Sequence, residues 1–214
     1  MSEILTGFKC ISLSGIGKKF REQWIFRNIS LEIFSGEKIA VTGSNGSGKS
    51  TFLQLLSGYI TPSTGTVSWQ SQNKNISNEE VHKYISFASP YLEMIEEFTL
   101  GENLRFYTRF KPLKNGMTPG DLMALAGLDG AMEKQVRNFS SGMKQRLKLA
   151  LAFNADTPLL LLDEPLTNLD DSGKEWYHKL VTSLDAGRTV IICSNQVKEE
   201  TWFCDRRLHI EDYK

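Results

Sequence analysis

The nine residues from Gly43 to Thr51, GSNGSGKST, constrain this chain more than any other stretch. Gly43, Gly46 and Gly48 let backbone turn tightly enough to bring several N–H groups close to one anion. The run matches G-x-x-x-x-G-K-[ST], a phosphate cradle. Lys49 supplies a point charge for β- and γ-phosphates. Ser50 offers a hydroxyl to Mg²⁺. A helix beginning near Lys49 turns its positive end toward the anion. Gly43, Ser44, Asn45, Gly46, Ser47, Gly48, Lys49, Ser50 and Thr51 are therefore candidate nucleotide-binding residues. The bare pattern arises by chance in on the order of one chain in a hundred, so its setting decides. A short apolar strand over 38–42 precedes it, a helical pattern over 51–57 follows, and Gly58 can end that helix. A flexible glycine turn is the bland alternative, and strand, loop, helix in that order leaves it little room.

A second signal lies far downstream. Four leucines at 159–162 deliver Asp163 and Glu164 at the end of an apolar run. The carboxyl edge of an open α/β sheet is where ligands bind. Asp163 is placed to hold Mg²⁺ through water, and Glu164 to polarise or deprotonate an attacking water. Alone, this could be a strand ending in a solvated acidic turn.

The runs over 159–162 and 189–193 are continuously apolar, as strands covered on both faces of a parallel sheet must be. Strands rich in β-branched and aromatic residues are expected over 8–13 and 24–33, and shorter ones over 66–69 and 84–88. The polar stretch 71–80 reads as a loop. Thr99 and Glu102 form a capping box, opening a helix-rich stretch to about 153. Trp176, Tyr177, Leu180, Val181 and Leu184 recur at helical spacing and read as core. No repeat or linker divides the chain, so one domain over 1–214 is expected.

Lysines plus arginines equal aspartates plus glutamates at 25 each, so no strong field advertises nucleic acid. Cys10, Cys193 and Cys204 are odd in number and widely spaced, which fits a reducing compartment, and Cys193 reads as buried packing. MSEILTGFKC lacks the basic-then-apolar pattern of a signal peptide. No apolar run approaches the ~20 residues of a membrane span. A cytoplasmic protein is expected.

A third signal, Asn138 to Leu147 (NFSSGMKQRL), places Ser140, Ser141 and Gly142 at the start of a helix, where N–H groups and the Ser140 hydroxyl make an anion site. It also reads as an ordinary capped amphipathic helix, and both can hold. At this point the chain resembles the ATP-binding cassette ATPases across essentially its whole length. Their motif order is phosphate loop, serine-glycine signature, apolar strand with Asp-Glu-Pro, then an Asn/Ala-Leu-Asp turn, here Asn168-Leu169-Asp170.

The resemblance implies an α/β fold. Its P-loop NTPase core is a mostly parallel sheet flanked by helices, with an N-terminal antiparallel β region and a helical subdomain inserted over about 90–153. It implies ATP and Mg²⁺ as cofactors. It further implies a head-to-tail dimer, with itself or a homologous cassette, in which Ser140, Ser141 and Gly142 of the signature face the partner's nucleotide, and it makes Asp170 a further nucleotide-binding residue. Integral membrane transporter subunits are the implied partners, and the inner face of the cell membrane the implied place. Phe20 sits where the family stacks an aromatic on adenine, although a core phenylalanine is a live alternative. The segment 91–98 lies where the family docks a membrane helix; a solvated loop is the other reading.

Two positions depart from the family. Its glutamine after the strand at 84–88 aligns with Pro90, flanked by Ser89 and Tyr91, and proline has no polar side chain. Its γ-phosphate histidine aligns with Asn195, which donates a hydrogen bond but cannot become cationic. Ser141 and Met143 also replace a usual glycine and glutamine. The leading expectation is a slowly hydrolysing ATPase subunit of a transporter, with catalysis by Lys49, Glu164 and Asn195. Small subunits of this size occur among haem-exporter-like systems. The alternative is an ATP-dependent clamp that regulates a membrane or envelope complex. A soluble member acting on DNA or ribosomes ranks last.

Overall fold

The computed structural model describes residues 8–72, 74–195 and 198–214. Two sheets organise them. Strands β1 (Phe8–Phe20), β2 (Gln23–Phe34), β4 (Thr64–Ser71) and β5 (Asn75–Ile76) form an antiparallel sheet in the order β2-β1-β4-β5. Strands β3 (Lys38–Thr42), β6 (Ile85–Ala88), β7 (Leu159–Asp163), β8 (Thr189–Ser194) and β9 (Arg206–His209) form a parallel sheet in the order β6-β7-β8-β3-β9. The architecture is the expected α/β one.

Continuous apolar strands bury both faces, and adjacent residues divide between two cores. Leu159, Leu161, Ile191, Cys193, Ile39 and Val41 join the core beneath the antiparallel sheet. Leu160, Leu162, Val190, Ile192 and Ala40 join the core on the opposite face. Each fully buried aliphatic side chain contributes about 1.5–3 kcal/mol. Helix α1 (Lys49–Leu56) fills the first core through Phe52, Leu53, Leu55 and Leu56. Trp176, Tyr177, Leu180, Val181 and Leu184 pack in or against the second, as expected of a helix covering that face.

The stretch 71–80 is not a simple loop. It carries β5, paired to β4, and the short helix α2 (Asn78–Val81), because Ile76 and Val81 are buried against the first core. Two apolar residues among polar neighbours carried too weak a period to announce this. The first strand also runs on to Phe20 through register shifts, paired with β4 as far as Gly17 and with β2 to its end.

Helices α3 (Leu100–Phe110), α4 (Pro119–Ala126) and α5 (Ser141–Asn154) share a third core around Leu104, Leu122, Leu147 and Ala150. The Thr99–Glu102 capping box is formed. Helix α5 faces two ways, since its Leu149, Ala152 and Phe153 belong to the second core. Its carboxyl end is held by Arg188, 2% exposed at the start of β8. The guanidinium donates to the carbonyls of Ala152 (2.8 Å), Phe153 and Ala155 (3.1 Å), and to the hydroxyls of Ser86 (2.9 Å) and Thr157 (3.1 Å). A cation on the last carbonyls of a helix complements its dipole.

Candidate functional site

Four strand ends meet at the carboxyl edge of the parallel sheet, and strand order puts them there. β3 delivers the glycine loop, β8 beside it delivers Asn195, and β7 beside β8 delivers Asp163 and Glu164. β6, next to β7, delivers Ser89 and Pro90.

Gly46 and Gly48 adopt φ of +75° and +109°, so the loop needs glycine at both. A Cβ on Gly48 would lie 2.4 Å from Ile25 Cγ2. The loop wraps Lys49, which is 4% exposed. Its Nζ donates to Gly43 O and Ser44 O, each at 3.0 Å, and to Asn195 Oδ1. Glu164 Oε1 lies 3.9 Å from the same nitrogen. A cavity of about 320 Å³ lies over the loop, lined among others by Ile25, Gly46, Gly48, Lys49, Ser50, Thr51, Tyr91 and Glu164.

Asp163 is 2% exposed. Ser89 Oγ donates to its Oδ2 at 3.3 Å. Its Oδ1 has no partner, and burial raises its pKa from the ordinary aspartate value. A cation would relieve that desolvation. Among the described residues no cluster of three or more His, Cys, Asp or Glu side chains forms a metal cage. Hydroxyl and carboxylate oxygens beside a phosphate cradle instead fit Mg²⁺, which is held by one or two carboxylates plus substrate phosphates.

Glu164 takes φ of +44°, the left-handed region that non-glycine residues avoid. Its N–H donates to Cys193 O at 2.9 Å, which ties the turn to β8. Downstream, Leu166 N–H donates to Glu200 Oε1 at 3.1 Å, and the Glu200 carboxyl, 3% exposed, is raised in pKa by burial.

Ser140 caps α5, its hydroxyl accepting from Met143 N–H. Asp170 caps helix α6 (Asp171–Thr182), accepting from Gly173 N–H at 2.8 Å, and this bond holds its carboxyl below the usual range. The two caps are neighbours: a Cβ on Gly142 would sit 3.1 Å from Asn168 O, and Arg146 reaches Asp170 at 3.7 Å. Ser140, Ser141 and Gly142 do not line the cavity over the phosphate loop, and neither does Phe20. Phe20 is 49% exposed, with Lys18 Nζ 5.1 Å from its ring centroid, which removes the core alternative.

Several contributors carried little or no sequence signal. Ile25 and Tyr91 line the phosphate cavity from other elements. Glu211 accepts from Ser44 N–H (3.3 Å) and from the Ser44 hydroxyl, and pairs with His209 at 3.0 Å. Ser89 stood out only as a neighbour of Pro90. The segment after Pro90 lines an adjoining groove of about 530 Å³, which shares Ser50 and Tyr91 with the phosphate cavity and is also lined by Ser89, Asp163 and Tyr59, the two tyrosines each 80% exposed.

Comparison with known proteins places this geometry. Residues 26–167 match the family model described as ABC transporter. Over 207 residues the chain is 30% identical to an uncharacterised ABC transporter ATP-binding protein of Bacillus subtilis (strain 168), covering 94% of the chain and 92% of that protein. It is also 30% identical to the Nod factor export ATP-binding protein I of Rhizobium sp. (strain N33), of whose length it spans 67%. Among solved structures, a dimeric post-hydrolysis state of an ATP-binding cassette with ADP and Pi superposes with a TM-score of 0.77 at 23% identity, covering 94% of this chain and 95% of that one. A bacterial Atm1-family ABC exporter with ATP bound gives the same score at 18% identity over 96% of this chain and 38% of its own.

Proposed function

The chain belongs to the ATP-binding cassette transporter family and is an ATP-hydrolysing, nucleotide-binding subunit of that class; we propose that it works as a dimer that drives separate membrane subunits. The observation that carries this is the meeting of Lys49, at the start of α1, and Glu164, just past β7, at 3.9 Å beside buried Asp163. A lysine, a carboxylate facing water and a metal-holding aspartate are the parts phosphoryl transfer to water requires.

The residues divide the work as follows. Backbone N–H groups over 43–51 hold the phosphates of ATP, and Lys49 exchanges its carbonyl and Asn195 contacts for β- and γ-phosphate oxygens. Ser50 and Asp163 hold Mg²⁺, which offsets phosphate charge when bound. Glu164, 28% exposed and turned by its positive φ toward the cavity, orients and deprotonates the attacking water. Asn195 donates its amide to the γ-phosphate. Phe20 offers an exposed ring to the base. Ser140, Ser141, Gly142 and Asp170 complete the partner's site in a head-to-tail dimer, with itself or a homologous cassette.

No helix among the described residues is long and apolar enough to cross a membrane. We place the subunit on the cytoplasmic face, with the segment 91–98 receiving a membrane partner, and with no nucleic-acid partner. A slow clamp is the second reading, favoured by Pro90 and Asn195 and opposed by the placement of Glu164.

The test is steady-state Mg²⁺-ATP hydrolysis by the purified protein, Glu164→Gln and Asn195→His, with sedimentation for the dimer. Turnover that depends on concentration should fall by about 10²–10⁴ in Glu164→Gln, the range for removing a general base, while ATP binding persists and dimers accumulate. Asn195→His should raise turnover. Tight binding and dimerisation without wild-type turnover would replace the motor by the clamp.

A further inference from the structure

The family's glutamine supplies an oxygen near the metal, and Pro90 at that position has none in its side chain. Backbone carbonyls of the same segment are engaged elsewhere. Lys148 Nζ donates to Pro90 O at 2.8 Å and to Ser89 O at 3.3 Å, from the side of α5. The Ser89 hydroxyl is differently placed. Ser89 is 4% exposed, and its Oγ donates to Asp163 Oδ2 while accepting from Tyr91 N–H, both at 3.3 Å. A hydroxyl has one proton and two lone pairs, so one lone pair remains. Asp163 Oδ1 beside it is buried without a partner. Ser50, Ser89 and Asp163 all line the same cavity wall. Two hydroxyl oxygens beside a desolvated carboxylate are a hard-oxygen donor set for a small divalent cation.

We propose that the Ser89 hydroxyl, one residue before the expected position, is an oxygen ligand of the Mg²⁺ that accompanies ATP. This rests on the ATP-hydrolysing reading above. It makes Pro90 a substitution compensated by its neighbour. The proline also holds the backbone of Ser89 extended, while the serine's hydrogen bonds to Asp163 and Tyr91 N–H orient the hydroxyl.

The experiment measures Mn²⁺ and Cd²⁺ affinity of the ATP-loaded protein, by electron paramagnetic resonance for Mn²⁺ and competition for Cd²⁺. Wild type is compared with Ser89→Ala and Ser89→Cys, each also tested for metal-free ATP binding in chelator. Ser89→Ala should weaken Mn²⁺ on the order of tenfold, as losing a metal-shell partner does, with metal-free ATP binding unchanged. Ser89→Cys offers a soft thiolate, so its Cd²⁺-over-Mn²⁺ preference should exceed that of Ser89→Ala by at least about tenfold. A serine that only braced Asp163 would not move that preference. Ser89→Ala binding Mn²⁺ within about twofold of wild type would overturn the assignment, and so would equal preference in the two variants. Loss of metal-free ATP binding in both would make Ser89 a packing residue and overturn it too. Failure of the wild type itself to bind ATP would instead sink the function proposed above.

Discussion

Gly48→Ala should disable the phosphate loop by a contact that can be relieved from outside it. The new Cβ would lie 2.4 Å from Ile25 Cγ2 and 3.2 Å from Phe26 Cδ1. Carbon atoms rest at about 3.5–4.0 Å, so Ile25 must retreat by about 1 Å. Overpacking of this kind costs about 1–3 kcal/mol. The φ of +109° adds backbone strain that relief of the contact cannot remove, about 1–3 kcal/mol. The lower entropy of the unfolded alanine chain offsets at most about 1 kcal/mol. The net loss is roughly 1–5 kcal/mol against a total of about 5–15. A chain of this size should then lose roughly 2–4 °C of melting temperature per kcal/mol. The decisive assay is a double-mutant cycle with Ile25→Ala, read by urea unfolding. The double variant should be more stable than the sum of the single effects predicts, by about 1–3 kcal/mol, which is the overpacking share. Phe26 stays in place, so recovery is incomplete. Effects that add within about 0.5 kcal/mol would refute the steric reasoning and leave backbone strain as the whole cause.

Two further outcomes follow from the same geometry. At Glu164 the left-handed backbone should invert the usual order of alanine and glycine. Alanine loses about 1–2 kcal/mol there and regains only about 0.4–1 through the unfolded chain, so Glu164→Gly should unfold at higher urea than Glu164→Ala; the opposite order would contradict the stored strain. Burial pushes the Lys111 ammonium down to about 8, whereas an unfolded lysine titrates at about 10.4. Between these values the unfolded chain binds more protons, so the penalty is full below about pH 8 and stability rises with pH above it. The wild-type urea midpoint should therefore climb relative to that of Lys111→Met between about pH 8 and 9.5, and a constant difference would remove burial as the cause.

What could be read in the chain was what local physics demands. Only glycine takes the φ of Gly46 and Gly48 without strain, so the phosphate loop declares itself in nine consecutive residues. A strand buried on both faces has no room for polar residues, so 159–162 and 189–193 announced a parallel sheet before its partners were known. The Thr99–Glu102 box is likewise a four-residue device. Short elements held by one side chain each, β5 by Ile76 and α2 by Val81, left no period to read.

The site as a whole was decided only by the tertiary structure. Lys49 and Asn195 touch across 146 residues, and Ser89 and Asp163 across 74. Composition and spacing hold no record of which strands lie side by side. The order β6-β7-β8-β3 does, because it aligns four carboxyl ends in one row and lets a serine before the proline reach the aspartate that the missing glutamine would have accompanied. Phe20 shows the same limit from the other side, since an aromatic reads alike whether it is packed inside or left open, and its surroundings alone expose it. Local conformational rules are written residue by residue; the pairing of distant strands is a balance of many small burial terms, and only the folded chain sums them.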